Sequence, residues 1–460
     1  MRKLLFLFLL LPVFGFAKDF QVKIHVEHLP REAKPLLLRI FNGNTYMVDS
    51  VPVMDGNQLS FKVPDRMHAG MMQVMLGATE YDQYMNRPPR SVLFLFNHED
   101  VELAVDFNEP SNVRVIQSPT NIDYFNFQKT DDVFFRKLGT LEQVLVNYPD
   151  RDEFYDLAAD YYVKYQYVRE RMIDSIYQAS PSSLVAKIIN GRKMPFLAGN
   201  LSNQERDSVF KETFFYKIDF TDTTLLYTSV YTDKLYQYIN SLFSNTLTPR
   251  ENEENVIAGL DKLFPYINQN DIVRDYLMQF LITSFENMKM EGVLTHISQN
   301  YAQQCGSSVD ILAERLEKYK KMAVGNTVPD FIVTDINGNP VSLYTGASSY
   351  NLLVFWHSEC SHCTHMIEEI SKWVGKGIFK EHGVNIITVS IDEKRENWEA
   401  FSARHKMNWT NAYAEGTFTS QVATDYNIFA TPTLFLLNSN NEIIAKPLTV
   451  GEVIEEIEGL

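Results

Sequence analysis

The chain has 460 residues, of which 45% are hydrophobic and 13% aromatic, enough for several apolar cores and too rich for a disordered chain. Its formal net charge of −16 argues against nucleic-acid binding and against attraction to anionic membrane surfaces. With only 3 cysteines at this size it is not a disulfide-stapled scaffold. Arg2 and Lys3 precede the apolar run 4–14, interrupted by Pro12, and Gly15-Phe16-Ala17 supplies a small-x-small cleavage site. Residues 1–17 therefore read as a secretory signal peptide, too short to span a bilayer. A buried N-terminal strand is the plainer alternative. No cysteine follows the run, so no lipid anchor is expected, and no other stretch is apolar for long enough to cross a membrane. The mature protein is expected to be soluble, exported and periplasmic.

Residues 19–118 predict β structure. Gln21-Val22-Lys23-Ile24-His25-Val26 and Leu59-Ser60-Phe61-Lys62-Val63 alternate with period two, Val92–Phe96 is continuously apolar, and Val101–Phe107 alternates again. Asp55-Gly56-Asn57 supplies a turn between two of these strands. Residues 120–322 change to a helical period. Phe154, Leu157, Ala158, Tyr161, Tyr162, Tyr165, Val168 and Met172 recur every three to four positions, as do Val273, Leu277, Phe280, Leu281 and Phe285. Ser307-Ser308-Val309-Asp310 reads as a capping box that starts a further helix. The aromatic stripes fit the core of a helical bundle better than the lining of a peptide groove. Ala323-Val324-Gly325-Asn326 is the linker into the last region.

Residues 324–460 alternate strand and helix. A hairpin turns at Asn337-Gly338-Asn339-Pro340, and a second turns at Asn438-Ser439-Asn440-Asn441. Between them the buried strand Leu352-Leu353-Val354-Phe355-Trp356 runs into Cys360-Ser361-His362-Cys363. Ile367, Ile370, Trp373 and Val374 follow at helical spacing, so Cys360 falls at a helix start. The unpaired N–H groups and positive dipole end there stabilise a thiolate. Cys363, one turn on, suits the resolution of a mixed disulfide. Cys305 has no obvious partner and reads as a buried apolar residue. Thr431-Pro432 precedes the strand Leu434–Leu437, a setting for a cis-proline.

Strand, Cys-x-x-Cys, helix and a much later Thr-Pro before a strand resemble the thioredoxin-like proteins. With Gly325-Asn326-Thr327-Val328-Pro329-Asp330-Phe331 at its start, the region is similar to the branch containing the TlpA and ResA disulfide reductases. The residues Asp49–Gly56, Val92–Phe107 and Gln117-Ser118-Pro119 resemble the β-sandwich that precedes such domains in Bacteroidetes proteins. The fold class expected is multidomain: an N-terminal antiparallel β-sandwich (19–118), a central α-helical region (120–322) and a C-terminal α/β thioredoxin-like domain (324–460). The resemblance implies catalytic roles for Cys360 and Cys363. His362, between them, would favour the Cys360 thiolate. It also implies substrate contacts at Thr431, Pro432 and Trp356, although ordinary packing explains Trp356 equally well. Two carboxylates that aid proton transfer in relatives are absent: Val354 and Met366 occupy their places. Glu359, Glu368 and Glu369 are the nearby candidates to replace them. Glu359 itself opposes the thiolate.

His357, His362 and His365 beside two cysteines raise metal binding as a rival, but no second ligand pair follows downstream. Thr364 after Cys363 excludes haem attachment, and His357 stands where a peroxidase would carry threonine or serine. The function expected is disulfide exchange on protein substrates, as a reductase or isomerase, without a bound cofactor. A membrane thiol relay or a re-oxidant would complete the cycle. The alternative is an envelope binding protein whose thioredoxin-like domain is accessory or sensing.

Overall fold

The computed structural model describes residues 19–460 except 32, 50–52, 302–309, 346–347 and 406, with backbone alone at 53–55 and 310–315. The expected signal peptide, Cys305 and the start of the capping box at Ser307 lie outside the described residues. Two compact units form. The first takes the described residues up to Ser241 together with Lys262–Leu277, the second Leu242–Asp261 with Met278–Leu460.

The first unit opens with β1 (Phe20–Glu27), β2 (Leu36–Phe41), β3 (Asn44–Asp49), β4 (Val53–Asp55), β5 (Gln58–Val63) and β6 (Gly70–Gly77). A short α1 (Glu80–Tyr84) leads to β7 (Arg90–Phe96), β8 (Val101–Asp106) and β9 (Glu109–Gln117). They make two sheets, ordered β4-β5-β1-β8-β9 and β3-β2-β6-β7. Pairing is antiparallel except between β1 and β8, which run parallel. The period-two pattern works as sequence demands. Val22, Ile24 and Val26 from one sheet meet Val74, Phe94 and Phe96 from the other in a single core.

Helices follow: α2 (Pro119–Asn147), α3 (Glu153–Ala179), α4 (Leu184–Asn190), α5 (Asn203–Thr213) and α6 (Val230–Leu242). Ser118 caps α2 by accepting from the Asn121 N–H. The Asn121 side chain then bonds both the N–H and the carbonyl of Leu95 at 2.8 Å, fixing α2 to β7. On α3 the buried face differs from the expected stripe. Tyr155, Ala158, Ala159, Tyr162 and Ile173 are buried, whereas Phe154, Leu157, Tyr161 and Val168 are exposed. The face is set by Arg169, which turns inward to the fully buried Asp131 on α2; the Arg192 guanidinium reaches the same carboxylate. A buried carboxylate needs such partners, and apolar spacing does not reveal them.

After α6 come α7 (Pro249–Ile267), α8 (Asp271–Asn287), α9 (Glu291–Asn300) and α10 (Asp310–Lys321). In the second unit the strands are β10 (Ile332–Asp335), β11 (Pro340–Ser342), β12 (Tyr350–Trp356), β13 (Val384–Ser390), β14 (Thr410–Tyr413), β15 (Thr433–Asn438) and β16 (Ile443–Ala445). They form one mixed sheet ordered β11-β10-β14-β13-β12-β15-β16. Its helices are α11 (Ser361–Lys376), α12 (Ile378–Glu381), α13 (Arg395–His405), α14 (Gln421–Asp425) and α15 (Val450–Glu458). Leu352, Val354 and Trp356 pack with α11, α13 and α15 on one face. Leu353 and Phe355 pack with Val422 and Tyr426 on the other. Both faces are thus covered, which is why β12 reads as a continuous apolar run rather than an alternation. Among the described residues no helix is long and apolar enough to cross a membrane.

Candidate functional site

β12 sits centrally, between β13 and β15, and delivers the chain at its C-terminal end to the start of α11. Cys360 is the N-cap of that helix. Its Sγ accepts from the Cys363 N–H at 3.4 Å, and its thiol donates to the Thr431 carbonyl at 3.8 Å. A sulfur in the N-cap position receives the stabilisation that the helix end offers to negative charge. The helix stays fixed beneath it because Met366, Ile367 and Ile370 are buried against the sheet, and Gly377, at φ +86°, ends it.

Cys363 is completely buried. Burial first, and the hydrogen bond with Cys360 second, push its thiol well above the ordinary 9.0. Both cysteines are free thiols. The pair is therefore asymmetric, with a part-exposed sulfur at a helix start and a sealed one a turn later. The Thr431–Pro432 peptide is cis, and its loop lies against Cys360. The structure thus brings Cys360, Cys363, Thr431 and Pro432 together, some seventy residues apart in sequence.

The other expected residues fall differently. His362 is exposed on the first turn of α11. Trp356 is fully buried, with its ring 5.1 Å from that of Phe401, so its side chain lies beneath the site and not on its surface. His357 faces Asp392, with Nδ1 3.3 Å from the carboxylate, and His365 pairs with Glu369. The three histidines do not converge. Of the proposed replacement carboxylates, Glu359 accepts from the Asn397 amide at 2.8 Å. Among the described residues no hydrogen bond joins Glu359, Glu368 or Glu369 to either sulfur.

Asp392 is the neighbour that sequence reading missed. It is fully buried just past β13. Its carboxylate accepts from the Ser358 N–H at 3.0 Å, from the Ser358 hydroxyl at 2.6 Å and from the Ser390 hydroxyl. The parallel register sets Trp356 beside Ser390, and continuing it sets Ser358 beside Asp392. The turn that presents Cys360 is therefore tied to the adjacent strand by a buried carboxylate. A signal existed in the polar Ser390 and Asp392 that close an apolar strand, since ligand sites gather at such strand ends.

This arrangement can exchange one disulfide for another. A family model described as AhpC/TSA family matches residues 324–446. The thiol-disulfide oxidoreductase ResA of Geobacillus kaustophilus is 30% identical over 137 residues, covering 29% of this chain and 74% of the relative. Its namesake from Bacillus cereus is 28% identical over 141 residues, covering 30% and 78%. Among solved structures, the thioredoxin domain of a Bacteroides vulgatus thiol-disulfide oxidoreductase is similar at 28% identity, covering 30% of this chain and 96% of that one, with a TM-score of 0.28. A thioredoxin-like protein from Bacteroides caccae, 21% identical, covers 56% of this chain and 94% of that one, with a TM-score of 0.41. By way of its dithiol region, the chain belongs to the ResA-like thiol-disulfide oxidoreductases of the thioredoxin-like class.

Proposed function

We propose that the chain is an exported, periplasmic oxidoreductase that exchanges disulfides with protein substrates through Cys360 and Cys363. The Cys360 thiolate attacks a substrate disulfide, and one substrate sulfur leaves as a thiolate that takes up a proton. Cys363 then loses its proton and attacks Cys360 in the mixed disulfide, releasing the second substrate thiol and leaving a Cys360–Cys363 disulfide. A membrane thiol relay would return the two electrons; run in reverse with a re-oxidant, the same steps oxidise substrates, while isomerisation needs only the first attack followed by release of Cys360 by another substrate thiol, with no net electron transfer. Thr431 and Pro432 meet the substrate chain, His362 biases the Cys360 thiolate, and Trp356 supports the site from below. The division into signal peptide 1–17, sandwich 19–118, helical domain 120–322 and thioredoxin-like domain 324–460 is part of this reading. So is export, which rests on the basic, apolar and small-residue order of the first seventeen positions.

The observation that carries the reading is the Cys360 sulfur at the N-cap of α11, hydrogen-bonded to both Cys363 and Thr431. Two measurements test it. Cys363→Ser should trap mixed disulfides with envelope proteins, and Cys360→Ser should trap none. The redox equilibrium of the pair against glutathione, followed by differential alkylation, gives the direction. A midpoint at or below about −250 mV makes it a reductase, and one above about −180 mV an oxidant or isomerase. No trapped partner and no disulfide would sink exchange and leave a binding protein.

A further inference from the structure

A groove of about 760 Å³ starts at the dithiol's edge, inside the second unit, and helices outside the thioredoxin-like sheet build its far wall. Its near wall is Thr431, Pro432 and the side of α11 that exposes His362 and His365, with the edge of the buried Met366 between them and the sheet. From α7 come Arg250, Glu253 and Ile257, spaced three and four apart. From α9 come Gly292, Thr295, His296 and Gln299, again on one face, while Val293, Leu294 and Ile297 bury the opposite face. α9 therefore turns a polar stripe, and α7 a stripe of Arg250, Glu253 and the apolar Ile257, toward the cis-proline loop.

The wall is a built one. Glu253 is 3% exposed and accepts from the Gly292 N–H at 3.0 Å. A Cβ at Gly292 would crowd its Oε2, so a larger residue there would have to move the Glu253 carboxylate. Beside it the Lys446 ammonium pairs with Glu291 and donates to the Met322 carbonyl at 3.1 Å. His296 is held by Asp261 at 2.7 Å. Side chains fixed by such partners keep the groove open and shaped.

We infer that this groove seats an extended segment of a protein substrate on one side of its reacting cysteine; the inference rests on the exchange reading above. The size supports that occupant. Gly292 to Gln299 is seven helical steps, about 10 Å at the helical rise, which matches about three residues of extended chain. A small thiol would leave most of that length empty. The lining mixes backbone-binding polar groups with the apolar Met366, Leu434 and Val450, as a peptide with both amides and side chains requires.

The test uses the full-length reduced protein and two probes that expel the same leaving group. One is dithio-bis-nitrobenzoate. The other is a short flexible peptide whose central cysteine carries thionitrobenzoate. Gln299→Trp fills the groove from an exposed position, and Thr295→Trp fills it nearer the middle; if the second does not fold, the first decides. The peptide rate is expected to fall about tenfold or more in both, as misplaced reactants do, with the small reagent within about twofold of the parent. An unchanged peptide rate overturns the inference, as does an equal fall with both probes. If the parent's Cys360 ignores the small reagent, exchange itself fails, and the groove assignment falls with it.

Discussion

Cys363 carries the clearest pH dependence at the scale of single residues. Its thiol must ionise to resolve a mixed disulfide, and burial holds that ionisation above the ordinary thiol range. Resolution, followed by stopped flow on a preformed Cys360 adduct, should accelerate with pH throughout the neutral and mildly alkaline range and show no plateau below 9.0, the unshifted value. The same shift has a stability sign. A folded-state pKa raised above the unfolded one gives stability that is complete below the unfolded value and is lost as pH rises from there through the folded value. Cys363→Ala should remove that alkaline loss in urea titrations of the reduced protein. Asp392 offers a second test. Asp392→Ala removes the acceptor that the Ser358 N–H and hydroxyl both need. A loss of about 2 kcal/mol is expected, read as a lower urea midpoint at constant slope. The two cysteines were legible because chemistry and spacing coincide within four residues. Asp392 was not, because its bond to Ser358 spans a strand crossing that only the β12–β13 register defines.

Among the elements, periodicity predicted type better than facing. The sandwich strands, both hairpins of the last region and the helix after the dithiol were all readable, since a period of two or of 3.6 is a local property. On α3 the expected face rotated, because Arg169 is drawn inward by Asp131 and carries its neighbours with it. That triad suggests its own experiment. Asp131 is fully buried, and its two oxygens serve guanidinium groups from α3 and from the turn after α4. Asp131→Ala would strand the Arg169 charge, at a cost of about 3–5 kcal/mol, visible by thermal or urea unfolding. The polar stripe of α9 was invisible for a related reason. Polar residues at helical spacing read as a solvated face until another element is seen opposite them.

For the whole molecule, the seven-stranded sheet carries its own cover on both faces. A fragment from Met322 to Leu460 is therefore expected to unfold cooperatively and to react with a small disulfide at close to the full-length rate; a molten fragment in near-ultraviolet circular dichroism would contradict this. The two compact units are not consecutive in the chain. Lys262–Leu277 belongs to the first, yet Leu242–Asp261, which precedes it, belongs to the second. No single scission yields two whole units. On the ribosome, where domains generally fold as they emerge, the sandwich-bearing unit must wait for Leu277 before it is complete, and by then Leu242–Asp261 of the second unit has already been made. Twenty residues of the later unit are thus synthesised before most of the chain that completes it.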